Sequence, residues 1–75
     1  MSAVDYDAII RLVASQMELL GDDGQLVGLN SLVIIELVAA LEEATNRDLT
    51  SLPLTLEQFR TVDSIRALLE RARAL

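Results

Sequence analysis

A strong helical signal, residues 28–46, reads GLNSLVIIELVAALEEATN. Ala, Leu and Glu, which favour helices, fill its centre, and apolar residues recur there at spacings of three and four. This pattern predicts a helix from about Ser31 to about Asn46. Asn30 or Ser31 is suited to cap it, because either side chain can accept a hydrogen bond from the free amides of the first turn. The expected inward stripe consists of Ile34, Leu37, Val38, Leu41 and Thr45.

A first helix is predicted over residues 4–20, where apolar residues recur on one face. Ser2, with Asp5 three residues on, resembles a capping box at its start. A turn signal over residues 21–24 ends the helix, and the apolar connector that follows is expected to pack on the core. The apolar residues are Tyr6, Ile9, Ile10, Val13, Met17 and Leu20 in the helix, and Leu26, Val27 and Leu29 in the connector.

The last third of the chain predicts an irregular connector over residues 47–54, one short helical turn from Thr55 to Phe59, and a final helix from Val62 to about Ala74 with Thr61 as N-cap. Three substantial helices and a short one predict a single all-α domain, residues 1–75, built as a small four-helix bundle. The residues expected to enter the core are Leu49, Leu52 and Leu54 from the connector, and Val62, Ile65, Leu68, Leu69 and Ala72 from the final helix.

The composition removes most catalytic chemistry. The chain has no Cys and no His, which excludes disulfides, thiolate metal sites, Cys nucleophiles and His-based triads. Its serines have no base to activate them. The acid pair Glu42-Glu43 points in two directions on a helix, and Asp22-Asp23 lacks the ligand spacing of a calcium loop. We therefore expect no enzyme activity and no metal site.

The net charge of −6 is unevenly spread: −4 over residues 1–30, −3 over residues 31–46 and +1 over residues 47–75. An acidic domain repels nucleic acid and anionic lipid, so we expect neither as a partner. The acidic middle segment would attract a basic partner protein instead. The chain has neither an apolar run of membrane-spanning length nor a recognisable signal peptide, which favours a cytoplasmic protein. We expect it to be a monomer.

Ser31 is open to two roles. It can cap the long helix or occupy its first turn, as serine does in many proteins. It can also carry a phosphate ester, which the free amides and the positive dipole end of the helix would favour. Leu32, Val33 and Ile35 cannot all face inward with the predicted stripe, so apolar surface is expected beside Ser31, with Val33 the most exposed. Such surface often marks a docking site.

Four short motifs follow one another along the chain: Leu29-Asn30-Ser31-Leu32 before an acidic second helix, Glu36-Leu37-Val38 and Leu41-Glu42-Glu43 within that helix, and Thr61-Val62-Asp63-Ser64-Ile65 at the start of the last one. Their order resembles the acyl carrier proteins and their peptidyl and D-alanyl carrier relatives. The resemblance covers essentially the whole chain, and this chain departs from the family's usual Gly-x-Asp-Ser-Leu signature by having Asn30 in place of Asp.

The resemblance implies a bundle of acyl-carrier type in which Ser31 receives 4′-phosphopantetheine from coenzyme A. A phosphopantetheinyl transferase, with magnesium, would attach it. The thiol of this arm would carry an acyl or aminoacyl group as a thioester from a loading enzyme to downstream synthase or tailoring enzymes. The partner-contacting residues would be Asn30, Leu32, Val33 and Ile35 near the serine, with Glu36, Glu42 and Glu43 steering basic partners.

Two departures from the family pattern bear on the partners. Asn30 removes a negative charge at the docking point of a generic transferase. Val33 stands where fatty-acid carriers usually have an acid, which favours polyketide, nonribosomal peptide or aminoacyl pathways. The alternative function is an unmodified helical interaction module that binds a partner through the apolar face of the same helix. The residues that either line a cargo pocket or simply fill the core are Ile34, Leu37, Leu41, Leu49, Phe59 and Leu69.

Overall fold

The computed structural model describes residues 4–75, which form a mostly helical protein with a small two-stranded antiparallel sheet. Within these residues, no helix combines the length and the apolar content that crossing a membrane requires. The elements are, in chain order, α1 (Tyr6–Gln16), a 3-10 turn (Asp22–Gly24), α2 (Ser31–Thr45), β1 (Arg47–Asp48), a second 3-10 turn (Leu56–Phe59), α3 (Val62–Arg71) and β2 (Arg73–Ala74).

The N-terminus of α1 is capped by Asp5, whose Oδ1 accepts a hydrogen bond from Ala8 N at 3.1 Å. Ser2, which the sequence pairs with Asp5 in a capping box, lies outside the described residues. In the first turn, Asp7 accepts from Arg66 Nη1 of α3 at 2.9 Å. This hydrogen bond is the main cause of the raised pKa of the Arg66 guanidinium, and the pair links α1 to α3.

α1 ends at Gln16, four residues earlier than predicted. Its last turn closes as a Schellman motif, in which Leu19 N donates to Ala14 O at 2.8 Å and Glu18 N donates to Ser15 O at 3.1 Å. Glu18 takes the left-handed conformation, with φ of 60°, at the position where glycine is usual. The chain leaves the helix here and turns the Leu19 side chain into the core.

Backbone hydrogen bonds fasten the loop between α1 and α2 to the rest of the fold. Leu20 and Leu26 pair as an antiparallel bridge, and Leu26 N donates to Arg60 O at 2.7 Å. The prediction that this loop packs on the core is confirmed for Leu26, which is buried, and for Leu29, which is partly buried. It is wrong for Val27, which is 52% exposed.

A single hydrophobic core joins the three helices. All five residues predicted for the inward stripe of the final helix are buried. Of the stripe predicted for α2, Leu37, Val38 and Leu41 are buried, whereas Ile34 and Thr45 are only partly buried. The connector adds Leu49, and the second 3-10 turn, predicted as a short helical turn, adds Phe59; both are fully buried. Each such side chain contributes about 1.5–3 kcal/mol relative to leaving it in water.

α3 begins where the sequence predicts. Thr61 Oγ1 accepts from Ser64 N at 3.0 Å, and Ser64 Oγ accepts from Thr61 N at 3.3 Å, which forms a reciprocal capping box. The helix ends at Arg71 and not at Ala74. The cause lies outside the helix, because the residues that follow leave it to form β2 and pair with β1.

The sequence did not predict the two-stranded sheet, which joins the segment after α2 to the segment after α3. Its register aligns Arg47 with Ala74. The guanidinium of half-buried Arg47 donates from Nε to Tyr6 Oη at 3.0 Å and from Nη1 to Ala72 O at 3.1 Å. One cation thus connects α1, β1 and the end of α3.

Replacing Leu41 by Ala should lower the free energy of unfolding by about 2–5 kcal/mol, because the side chain is fully buried and its loss leaves a cavity. Denaturant unfolding followed by circular dichroism measures this change. Leu12→Ala is the matched control, since Leu12 is 59% exposed on α1 and its replacement should cost less than about 0.5 kcal/mol. Equal losses in the two variants would contradict this assignment of the core.

Candidate functional site

Ser31 is the first residue of α2, and its side chain is exposed. The cap is the residue before it: Asn30 has an extended backbone, and its Oδ1 accepts from Val33 N at 2.9 Å. Among residues 4–75, nothing forms a hydrogen bond with the Ser31 hydroxyl. Asn30 therefore caps the helix, and Ser31 occupies its first turn with a hydroxyl that bonds to none of the described residues.

The surroundings of Ser31 favour a negative group. The first turn of α2 contains no acidic residue. The amides of Ser31 and Leu32 have no acceptor within the helix, and the positive end of the helix dipole lies at this terminus. An anionic ester on Ser31 Oγ would thus meet backbone donors without facing a carboxylate in that turn.

An open cleft of about 440 Å³ lies beside Ser31. Ser31, Ile34 and Ile35 are three and four residues apart, so they share one side of α2 and form one wall of the cleft. The other wall comes from the segment that contains the second 3-10 turn. None of the lining residues is ionisable; they are Asn30, Ser31, Ile34, Ile35, Leu54, Thr55, Leu56 and Phe59.

The six residues predicted either to line a pocket or to fill the core divide between the two. Ile34 is partly buried and lines the cleft, and Phe59 is fully buried and lines it as well. The remaining four are fully buried in the core: Leu37, Leu41, Leu49 and Leu69. The sequence did not predict that Leu54, Thr55 and Leu56 form the opposite wall, because the turn was recognisable locally but its position against α2 was not.

The apolar residues expected beside Ser31 differ in exposure. Leu32 and Ile35 are 65% and 66% exposed, whereas Val33 is partly buried against the core. The prediction that Val33 would be the most exposed is wrong. Val33 lies four residues before buried Leu37, hence on the same side of α2. An aspartate at position 33 would bring a charge against the core, so its effect would mix destabilisation with any loss of partner binding.

The three acidic residues of α2 also differ. Glu36 and Glu43 are exposed, but Glu42 is partly buried, and its Oε2 accepts from Leu49 N at 2.8 Å and from Thr50 N at 3.3 Å. Glu42, one of the three acids expected to steer basic partners, therefore has its carboxylate engaged within the fold. Its carboxylate holds the connector that follows β1, a role that no helical pattern signals, because the donors lie on another segment.

No protein-family model, curated protein or solved structure matches this chain. Its chemistry is therefore judged from the geometry of the site itself. The site offers one exposed hydroxyl at the start of a helix, backbone donors beside it and an uncharged cleft next to it.

Asn30→Ala should lower the free energy of unfolding by about 1 kcal/mol, because it removes the acceptor for Val33 N. Ser31→Ala should cost less than about 0.5 kcal/mol, because its hydroxyl bonds to none of the described residues. Thermal and denaturant unfolding of both variants measure the difference. A larger loss for Ser31→Ala than for Asn30→Ala would show that serine is the cap.

Glu42→Ala should lower the free energy of unfolding by about 1–3 kcal/mol, because it leaves the amide of fully buried Leu49 without its acceptor. Glu43→Ala removes the same charge from an exposed position and should change stability by less than about 0.5 kcal/mol. Hydrogen exchange at the Leu49 amide should also speed up in the Glu42 variant alone, whereas Thr50 N keeps Asp48 Oδ1 as an acceptor at 3.1 Å. Unchanged exchange at the Leu49 amide would refute the anchoring role.

Proposed function

We propose that this chain is a monomeric, cytoplasmic carrier protein that bears 4′-phosphopantetheine on Ser31. It would shuttle an acyl or aminoacyl thioester between partner enzymes, in polyketide or nonribosomal peptide-type biosynthesis. The observation that carries the proposal is the exposed Ser31 hydroxyl, which has no partner among residues 4–75 although it starts the longest of the described helices. Because Asn30 already caps this helix, capping does not explain the serine.

The residues around Ser31 fit a phosphodiester. One negative charge on Oγ would be stabilised by the unpaired amides of Ser31 and Leu32 and by the positive end of the α2 dipole. Such a charge meets no carboxylate in the first turn. An extended polar arm also needs open space, and the Ser31 side chain is exposed at the edge of the cleft.

In the attachment step, the Ser31 hydroxyl would form a phosphodiester with the pantetheine-bearing phosphorus of coenzyme A, and the bond from that phosphorus to 3′,5′-ADP would break. The serine proton would pass to a base of the phosphopantetheinyl transferase, because this chain has no His or Cys to accept it. The transferase would also supply magnesium. When bound, the group supplies the thiol for a thioester, which a chain without cysteine lacks. The chain itself would orient Ser31 and catalyse no step.

The order of elements supports the same proposal. We interpret α1, α2, the Leu56–Phe59 turn and α3 as a four-helix bundle of acyl-carrier type, with the modified serine at the start of an acidic second helix. Exposed Glu36 and Glu43 are available to attract basic partner enzymes. Exposed Leu32 and Ile35 would give apolar contacts to the loading enzyme and to downstream enzymes.

An unmodified interaction module is the second candidate. It is favoured by the exposure of Leu32 and Ile35, which are about two-thirds accessible and need a partner to be buried. This module would use the same face of α2, but the Ser31 hydroxyl would remain unmodified. The two functions therefore differ in one covalent bond, which a mass measurement detects.

The test incubates the purified chain with coenzyme A, magnesium and a broad-specificity phosphopantetheinyl transferase, followed by intact mass analysis. We expect a gain of one phosphopantetheine that is lost in Ser31→Ala. It should be kept in Ser15→Ala, which removes an exposed serine from α1. No gain with a panel of transferases would reject the proposal and favour the interaction module. A gain that survives Ser31→Ala would reject Ser31 as the attachment residue.

A further inference from the structure

Leu56 lies between two depressions on the surface near Ser31. It lines the cleft of about 440 Å³ that also contains Ser31, and it lines a second depression of about 360 Å³. The second depression is formed mainly by the loop before α2, whose residues Val27, Gly28 and Leu29 contribute to it. The apolar surface beside the serine is therefore not confined to α2 but continues across the 3-10 turn to this loop.

Three exposed side chains, which we call the apolar rim, mark this surface: Val27 is 52% exposed, Ile35 is 66% exposed and Leu56 is 40% exposed. The two depressions that they line contain little charge. The first depression has no ionisable lining residue, and the second has Arg60 alone, whose Nε pairs with Glu57 Oε1 at 3.0 Å. A chain with a net charge of −6 thus has an almost neutral region next to its candidate attachment residue.

Any enzyme that acts on Ser31 must cover the rim. Its reacting atoms have to approach Oγ to about 3–3.5 Å, and a specific protein contact covers about 800 Å² on each partner. Ile35 and Leu56 line the same cleft as Ser31, so a contact of that size centred on the serine includes them. A charged or polar surface pressed against these side chains would lose its hydration without gaining a partner.

We infer that the enzyme that modifies Ser31 docks on the apolar rim through uncharged, apolar side chains, with Ile35 and Leu56 determining its specificity. The inference rests on the proposed function and goes beyond it, because it names the chemistry of the contact. Exposed Glu36 and Glu43 then act on the rate of encounter, whereas the rim decides how tightly the enzyme holds the chain.

The test measures kcat and KM for transfer from coenzyme A by the phosphopantetheinyl transferase, using the unmodified chain as the varied substrate. We expect Leu56→Ser and Ile35→Ser each to raise KM about tenfold with little change in kcat, because they remove binding and not chemistry. Leu12→Ser is the matched control, an exposed leucine of α1 that lines neither depression. Leu56→Met should keep KM close to the wild-type value, because methionine retains apolar volume at the rim.

Salt separates the rim from the acidic residues. From about 0.05 M to about 0.5 M NaCl, the ratio of wild-type to Leu56→Ser KM should stay constant, because the contact is uncharged. The double variant Glu36→Gln, Glu43→Gln should be slower than wild type only at low salt. The inference would be overturned if transfer to the double acid variant were impaired equally at high salt. It would also be overturned if the KM values of the rim variants matched that of Leu12→Ser. In both cases a wild-type mass gain would still uphold the carrier function. A wild-type chain that gains no mass would overturn both.

Discussion

α2 carries more apolar side chains than one packed face of a helix can bury, and this constraint shapes the rest of the protein. A helix on a globular core buries a stripe and leaves its other faces in water. Leu37, Val38 and Leu41 occupy the buried stripe, against which α1, α3 and Phe59 complete the core. Leu32 and Ile35 fall outside the stripe and remain exposed. The surplus apolar surface therefore lies at the end of the helix that begins with Ser31.

The second determinant of the site is one local hydrogen bond. Asn30 accepts from Val33 N and so takes the capping role, which leaves the neighbouring hydroxyl available. Asparagine caps as well as aspartate does but carries no charge, so the start of α2 combines unpaired amides with a neutral rim. In the function that we propose, this combination would receive a monoanionic ester on Ser31 and an enzyme whose contact surface is apolar. The exposed acids of α2, Glu36 and Glu43, lie outside the cleft. The acidic surface of the helix is therefore separate from the uncharged surface beside Ser31.

The elements that were predicted well are those whose causes lie within a few residues. The start of α2, the N-cap of α3 at Thr61 and the inward stripe of α3 all follow from side chains three or four positions apart. Two of the errors have causes of longer range. α3 ends early because β2 pairs with β1. The sequence alone indicates that Glu42 is a surface acid. In the folded chain, two amides of the connector donate hydrogen bonds to its carboxylate.

The candidate site also has features that the sequence predicts and features that depend on tertiary packing. Periodicity and capping preferences alone locate Ser31 at the start of an acidic, apolar-rich helix, because helix formation depends on neighbours along the chain. The cap could be either Asn30 or Ser31 on those grounds, and the folded backbone selects Asn30. The cleft, the neutral rim and the position of Leu56 opposite Ile35 exist only after the segment before α3 packs against α2. They depend on contacts between residues about twenty positions apart, whose geometry no local pattern encodes, because packing of the whole core sets it.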